Sequence, residues 1–290
     1  MVVSSVAAEI DRAALCLQRA GIAGPRREAT VLWAGLAGLS VADFWLRGED
    51  VMGQSDQVRF REAVRRRSRG EPQSYVLKAA GFRKLDLFVD RRVLIPRPET
   101  ESLVGHVIEW AARRWGSEPW GSIADIGTGS GCIALSLAEE GRFERVIATE
   151  FSNRALQVAS RNISAVAPGT QVELRAGYLL EPLDGLAVDA IVSNPPYLTE
   201  SEHRRLGPDV RDYEPREALV SGPDGLGHLR ELLGNAMSYL KRGGLIAFEL
   251  DSTRARETLE LAFQAGWKNA RLEPDLFGRL RHIIATKESA

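Results

Sequence analysis

Apolar residues recur at two different spacings along this chain, and the change of spacing divides it. Up to Arg69 the spacing is helical. Val6, Ile10, Ala14 and Leu17 share one face before Gly21, Val31, Leu32 and Leu36 form a second, and Val58, Ala63 and Val64 form a third after the start signal Ser55-Asp56. This predicts a small helical bundle over residues 1–72, closed where Gly70-Glu71-Pro72 breaks the last helix. Residues 73–97 change period. Phe82, Leu85, Leu87 and Val89 alternate with polar positions, which predicts a β-hairpin linker turning at Asp90-Arg91.

From Pro98 to the end, over residues 98–290, helical and strand-like runs alternate. Strands are expected at 123–126, 146–149, 172–176, 190–193 and 245–249, with helices from Pro98 to about Trp115, after Gly131, and over 154–166, 228–241 and 255–265. That order predicts an α/β domain on a parallel sheet. Two final runs either side of Gly278, the last over 283–286, predict an antiparallel pair at the sheet's edge, making the sheet mixed.

Composition narrows the classes. With 290 residues, two domains are expected, and a net charge of -1 gives no bulk reason to expect a nucleic-acid partner. The basic run Arg65-Arg66-Arg67-Ser68-Arg69 reads as a solvated helix end, with RNA or ribosome contact as the alternative. The longest apolar stretch, Val31 to Leu39, is too short to span a bilayer, and no basic segment followed by an apolar core opens the chain, so a cytoplasmic protein is expected. Cys16 and Cys132 lie in unrelated contexts without metal-ligand spacing, so neither a disulfide framework nor a metal site is expected.

Two segments carry chemistry. Ala124-Asp125-Ile126-Gly127-Thr128-Gly129-Ser130-Gly131 joins a strand to a helix, where glycines let a ligand approach the main chain. Its G-x-G-x-G spacing departs from the G-x-G-x-x-G dinucleotide fingerprint, which favours a ligand without phosphates. Glu150 ends the next strand, where a carboxylate accepts from both hydroxyls of a ribose, so loop and acid together describe an adenosine site. Asn194-Pro195-Pro196-Tyr197 follows the apolar run 187–193. Asn194 supplies a side-chain carbonyl, Pro195 a main-chain carbonyl, Pro196 rigidity and Tyr197 an aromatic wall. Two acceptors aimed at one point grip an NH2 group, which suits methyl transfer to a planar nitrogen. Tyr197 has a bland alternative as a core aromatic.

At these residues the chain resembles the HemK/PrmC family of glutamine N5-methyltransferases. The resemblance covers nearly the whole chain. It is carried by Gly70-Glu71-Pro72 with Tyr75, Ile95-Pro96-Arg97-Pro98-Glu99-Thr100-Glu101, the loop from Asp125 to Gly131, Asn194 to Tyr197, Tyr213-Glu214-Pro215 with Ala218-Leu219, Gly222 to Leu226, and Gly278-Arg279 with Arg281. It implies a Rossmann-like class I methyltransferase sheet, a helical N-terminal domain that docks substrate, and S-adenosylmethionine as cofactor. It also implies class-1 peptide chain release factors as protein partners, modified at the glutamine of their Gly-Gly-Gln loop. Cofactor residues are then Asp125, Gly127, Thr128, Gly129, Ser130, Gly131, Glu150, Tyr178, Leu179 and, from the acceptor side, Asn194; Asn194, Pro195, Pro196 and Tyr197 are the catalytic set. Asp125 would hold the cofactor's amino group or, alternatively, cap nearby main-chain donors. The chain departs from the family at Lys78, where glycine is usual, and at Tyr178, where an acid usually contacts adenine. Tyr178 is expected to stack on the base or donate through its hydroxyl, with Leu179 as apolar cover.

Because N-P-P-Y also occurs in adenine-N6 DNA methyltransferases, it identifies the acceptor chemistry, and the I-P-R-P-E-T-E segment is what separates the families. A ribosomal-protein glutamine or DNA adenine as substrate, a non-catalytic cofactor-fold binding protein and an NAD-linked oxidoreductase remain as alternatives. Near-neutral charge disfavours DNA.

Overall fold

The computed structural model describes residues 4–39, 49–166 and 172–288. It divides into two compact units, Met1–Ala79 with Gly207–Tyr213, and Ala80–Leu206 with Glu214–Ala290.

The first unit is built on helices Val6–Arg19, Pro25–Ala37 and Gln54–Ser68, followed by the short helix Gln73–Leu77. Ser5 caps the first helix by accepting from Ala8 N. Ile10, Leu17, Leu32, Met52 and Phe60 form its core, with Trp33 edge-on to Phe60 at 5.8 Å. The buried face of the first helix takes Ala13 rather than Ala14, and Val58 is exposed while Phe60 takes the core position. Glu9 is buried on that face because Arg61 reaches it at 2.8 Å.

The basic run is largely engaged rather than solvated. Arg66 donates to both Glu71 oxygens, at 2.8 and 2.7 Å, and to the carbonyls of Tyr75 and Val76. Arg67 pairs with Glu28 at 2.9 Å and donates to the Glu71 carbonyl. Arg66 thus rivets the fourth helix to the third, and Arg67 ties the third to the second. Tyr75 lies in that short helix, which ends at Lys78 with φ +56°, a left-handed conformation that glycine takes without strain.

The second unit opens with a hairpin, β1 (Ala80–Phe82) and β2 (Leu85–Leu87), which turns at Arg83-Lys84 and not at Asp90-Arg91. Asp90 instead accepts the Arg92 guanidinium at 2.7 Å within a separate turn. The strand pattern alone does not separate the two turns, because Val89 and Val93 are buried as completely as Leu87.

Strands β3 (Trp120–Ile126), β4 (Phe143–Glu150), β5 (Val172–Ala176), β6 (Val188–Ser193), β7 (Leu240–Glu249), β8 (Arg271–Pro274) and β9 (Leu280–Thr286) form one sheet. The order is β5-β4-β3-β6-β7-β9-β8. β3 to β7 pair in parallel, and β9 runs antiparallel between β7 and β8. Two apolar clusters cover the sheet, one built on helices Gly227–Tyr239 and Ala255–Gln264, the other on Pro98–Trp115 and Cys132–Glu140 with the hairpin residues Phe82, Leu85 and Leu87. Double coverage explains why the central strands read as unbroken apolar runs. Among the described residues no helix is long and apolar enough to cross a membrane.

Candidate active site

Strand order reverses between β3 and β6, and in open α/β sheets the crevice beyond the carboxyl ends at such a reversal is where ligands bind. Ile126 pairs with Thr149 on one side and Ser193 on the other, so the loops after β3, β4 and β6 leave the sheet at one level. The Ser193 hydroxyl donates to the Ile126 carbonyl at 2.7 Å and ties the two sides together. A cavity of about 390 Å³ opens there.

The glycine loop is held from below. Gly127 and Thr128 donate main-chain N–H groups to the Thr149 carbonyl, and Gly127, with φ +71°, leaves open space where a Cβ would stand. Glu150 accepts from Gly129 N at 3.0 Å and Ser152 N at 2.8 Å, so the acid also locks the loop. Burial raises the Glu150 carboxyl above the usual range against these bonds, which pull it down. Asp125 is fully buried, with Oδ2 accepting from the Thr128 hydroxyl (2.6 Å) and Ala134 N (3.1 Å). Its Oδ1 has no partner among the described residues, and burial pushes the group up to about 7.

Residues 127–130, Glu150, Tyr178, Leu179 and 194–196 line the cavity, whereas Asp125, Gly131 and Tyr197 stand outside its wall. Through Oδ2, Asp125 organises the turn and the start of the next helix. Tyr197 points its hydroxyl at Glu249 Oε1, 3.4 Å away, and burial beside that carboxyl raises it. Tyr178 stands edge-on to Phe151 at 5.9 Å and donates its hydroxyl to Glu231 at 3.1 Å. Phe151, 72% exposed, gives the mouth an apolar rim. Leu179 holds φ +43°, and its carbonyl accepts the Thr149 hydroxyl at 3.2 Å.

Several residues of this site were assigned no role from the sequence. Thr100, at the start of helix Pro98–Trp115, accepts from Asn194 Nδ2 at 3.0 Å and donates to Glu249 Oε2 at 2.7 Å. Glu249 ends β7 as Glu150 ends β4, and this repeated acid at a strand's end is the signal that finds it. Burial pushes its carboxyl up to about 7. Glu214 accepts from Ile95 N (3.1 Å) and from the Arg97 guanidinium (2.6 Å), so the Tyr-Glu-Pro segment fastens the segment that carries Pro96 and Arg97 into the cavity wall. His228 also lines the cavity. Ser221 Oγ accepts from His228 N at 2.9 Å and pairs with Nδ1 of the same residue at 2.7 Å, which fixes the ring.

The fold and the loop-acid-amide arrangement define a methyltransferase. The chain matches the family model of the PrmC N-terminal domain over residues 10–77 and that of the methyltransferase small domain over 114–207. The release factor glutamine methyltransferase of Moorella thermoacetica is 40% identical over 270 residues, covering 93% of this chain and 94% of that one. That of Streptomyces coelicolor is 39% identical over 286 residues, 97% of each. A methyltransferase from Pyrococcus furiosus, 19% identical, shares the fold with a TM-score of 0.52 over 82% of this chain and all of that one. This chain belongs to the release factor glutamine methyltransferase family.

Proposed function

We propose that this protein uses S-adenosylmethionine to methylate the side-chain nitrogen of the glutamine in the Gly-Gly-Gln loop of class-1 peptide chain release factors. One observation carries the acceptor side: Asn194 Nδ2 is engaged by Thr100, so its Oδ1 and the adjacent Pro195 carbonyl, neither of which accepts a bond among the described residues, are left for a ligand. Cavity and donor set fit the cofactor. The main chain at Gly127 is open to close approach, Glu150 offers a carboxylate for ribose hydroxyls, and Phe151, Tyr178 and Leu179 give a planar base apolar contact. S-adenosylmethionine supplies a methyl group on a positively charged sulfur. No group of three or more potential metal ligands occurs among the described residues.

An amide nitrogen is a weak nucleophile because its lone pair is shared with the carbonyl. Asn194 and Pro195 accept its two N–H bonds and hold the nitrogen's face toward the cavity. These bonds strengthen as positive charge grows on nitrogen, and they do so in place, without reorganisation. The methylated nitrogen then releases a proton to water, so a general base is unnecessary. Glutamate presents oxygen to oxygen and is rejected by roughly 10⁴-fold. A release factor substrate places the reaction in the cytoplasm.

The test incubates the protein with methyl-labelled S-adenosylmethionine and a release factor, alongside one whose Gly-Gly-Gln glutamine is replaced. Label in the first and none in the second is expected. Equal label in both, or label only in duplex DNA added as a third arm, overturns the reading.

A further inference from the structure

An asparagine amide fits its site in two orientations of nearly the same shape, and only one of them turns an acceptor to the cavity. What distinguishes them here is the hydrogen-bond chain behind Asn194. Nδ2 donates to Thr100 Oγ1, and that hydroxyl donates to Glu249 Oε2. A carboxylate accepts and never donates. The single hydroxyl proton of Thr100 is therefore committed to Glu249, and its oxygen meets Asn194 only as an acceptor. Reversing the chain requires a proton on Glu249. A protonated Glu249 donates to Thr100, the threonine hydroxyl is freed to donate to Oδ1, and Asn194 turns its NH2 group into the cavity, where it opposes the NH2 of a substrate.

The geometry points to Glu249 and Thr100 as positioning residues: ionised Glu249, acting through Thr100, fixes Asn194 with its acceptor outward, and a proton on Glu249 releases it. This rests on the function proposed above. The surroundings of Glu249 allow the group to change state near neutrality. It is fully buried, and burial raises it to about 7 against the Thr100 hydrogen bond and the charge of Arg281, which favour ionisation. Glu99, next to Thr100 on the same helix, opposes ionisation, while the Tyr197 hydroxyl supports it. Cys132, on the helix after the glycine loop, stays a neutral thiol because burial and Asp125 raise it to about 12. His282 lies directly opposite Glu249 in the β7–β9 register and stays uncharged because burial lowers it to about 4. Glu249 is thus the group in contact with Thr100 that is poised to titrate.

The test has two readouts. With saturating S-adenosylmethionine and release factor, wild-type kcat should rise between pH 6 and 8. Thr100→Val should lose at least about tenfold in kcat, with KM for S-adenosylmethionine within about twofold of wild type, and Thr100→Ser should restore most of the loss. Glu249→Gln, which keeps an acceptor oxygen but cannot ionise, should show no rise over that range. A valine variant within twofold of wild-type kcat, or a glutamine variant with the wild-type pH profile, overturns the assignment; the serine and glutamine variants decide it if the valine protein does not fold. Independently of turnover, the Asn194 side-chain ¹⁵N resonance, identified by its loss in Asn194→Ala, should shift with pH in the wild type and stay fixed in Glu249→Gln. If no methyl reaches any release factor, the proposed function fails, and this resonance alone decides the positioning role. Identical behaviour in both proteins refutes it.

Discussion

Gly225 offers a sharp test of how the acceptor segment is held. Tyr197 and Leu198 donate their N–H groups to the Leu219 carbonyl, and Ser221 returns a bond to the Leu198 carbonyl, so the Asn-Pro-Pro-Tyr segment rests on residues 219–225. A Cβ at Gly225 would stand 2.5 Å from the Tyr197 carbonyl oxygen and 3.2 Å from the Arg254 guanidinium carbon, on a backbone with φ +75°. The arginine can yield, but the carbonyl cannot without moving the main chain two residues from Pro195. Gly222 has nearly the same φ, +76°, and nothing within 4 Å of its Cβ position. Gly225→Ala and Gly222→Ala therefore share a backbone cost of about 1–2 kcal/mol and differ in displacement. Both should melt a few degrees below wild type by calorimetry. Only Gly225→Ala should also lose turnover, by roughly 10–100-fold, because the acceptor pair shifts by a fraction of an ångström up to about one. Equal kcat in the two variants would refute the argument that Gly225 sets the acceptor position.

Three further outcomes follow from the site. Asp125 and Glu249, both raised to about 7 by burial, hold protons in the native state that the unfolded chain releases above about pH 4. Stability should therefore fall as pH rises from about 4 to 7, by at most about 4 kcal/mol per group. In urea titrations the advantage of Glu249→Gln over wild type should grow across that range; parallel curves would contradict it. Glu150→Gln places an NH2 group against the Gly129 or Ser152 N–H, and calorimetric titration should find S-adenosylmethionine affinity reduced roughly 10–100-fold. Glu214→Ala leaves Ile95 N and Arg97 without their shared acceptor, and the denaturation midpoint should report a loss of about 2–4 kcal/mol, with no loss counting against the anchor.

The sheet, and the segments that meet at the candidate site, were legible in the sequence where a local pattern has one physical reading. Apolar runs followed by glycines or by Asn194 mark strand ends, and Glu150 is spaced from its loop as a ribose partner should be. The misplaced hairpin turn shows the limit, since Asp90-Arg91 and Arg83-Lys84 both sit between buried apolar positions and only packing decides which closes β1 on β2. Arg66 and Arg67 were misread for a related reason. A basic run looks solvated until its partners are known, and Glu28 lies 39 positions away in sequence from Arg67. Thr100 stands within the I-P-R-P-E-T-E segment and Glu249 at a strand's end, but their joint role, across 149 positions, was not legible for the same cause: it arises when the first turn of one helix meets the end of β7. Tyr178, which departs from the family's acid, donates its hydroxyl to Glu231 of helix Gly227–Tyr239, a partner 53 positions away.

The strand order carries a consequence for how such a domain diversifies. Apart from Asn194, the residues proposed to hold the methyl donor lie on the contiguous stretch from β3 through β5 and the turn after it, while those proposed to grip the acceptor follow β6 and are braced from β7 and from the first turn of helix Pro98–Trp115, which precedes β3 in the chain. The two halves meet along a single strand pairing, β3 with β6, and Ser193 bridges it. Changes that retune the acceptor can therefore accumulate on one bank of this seam without disturbing the other, and a chimera joined between β5 and β6 should follow its C-terminal parent in the choice of nitrogen only if it also carries that parent's first turn of helix Pro98–Trp115, because Thr100 braces Asn194.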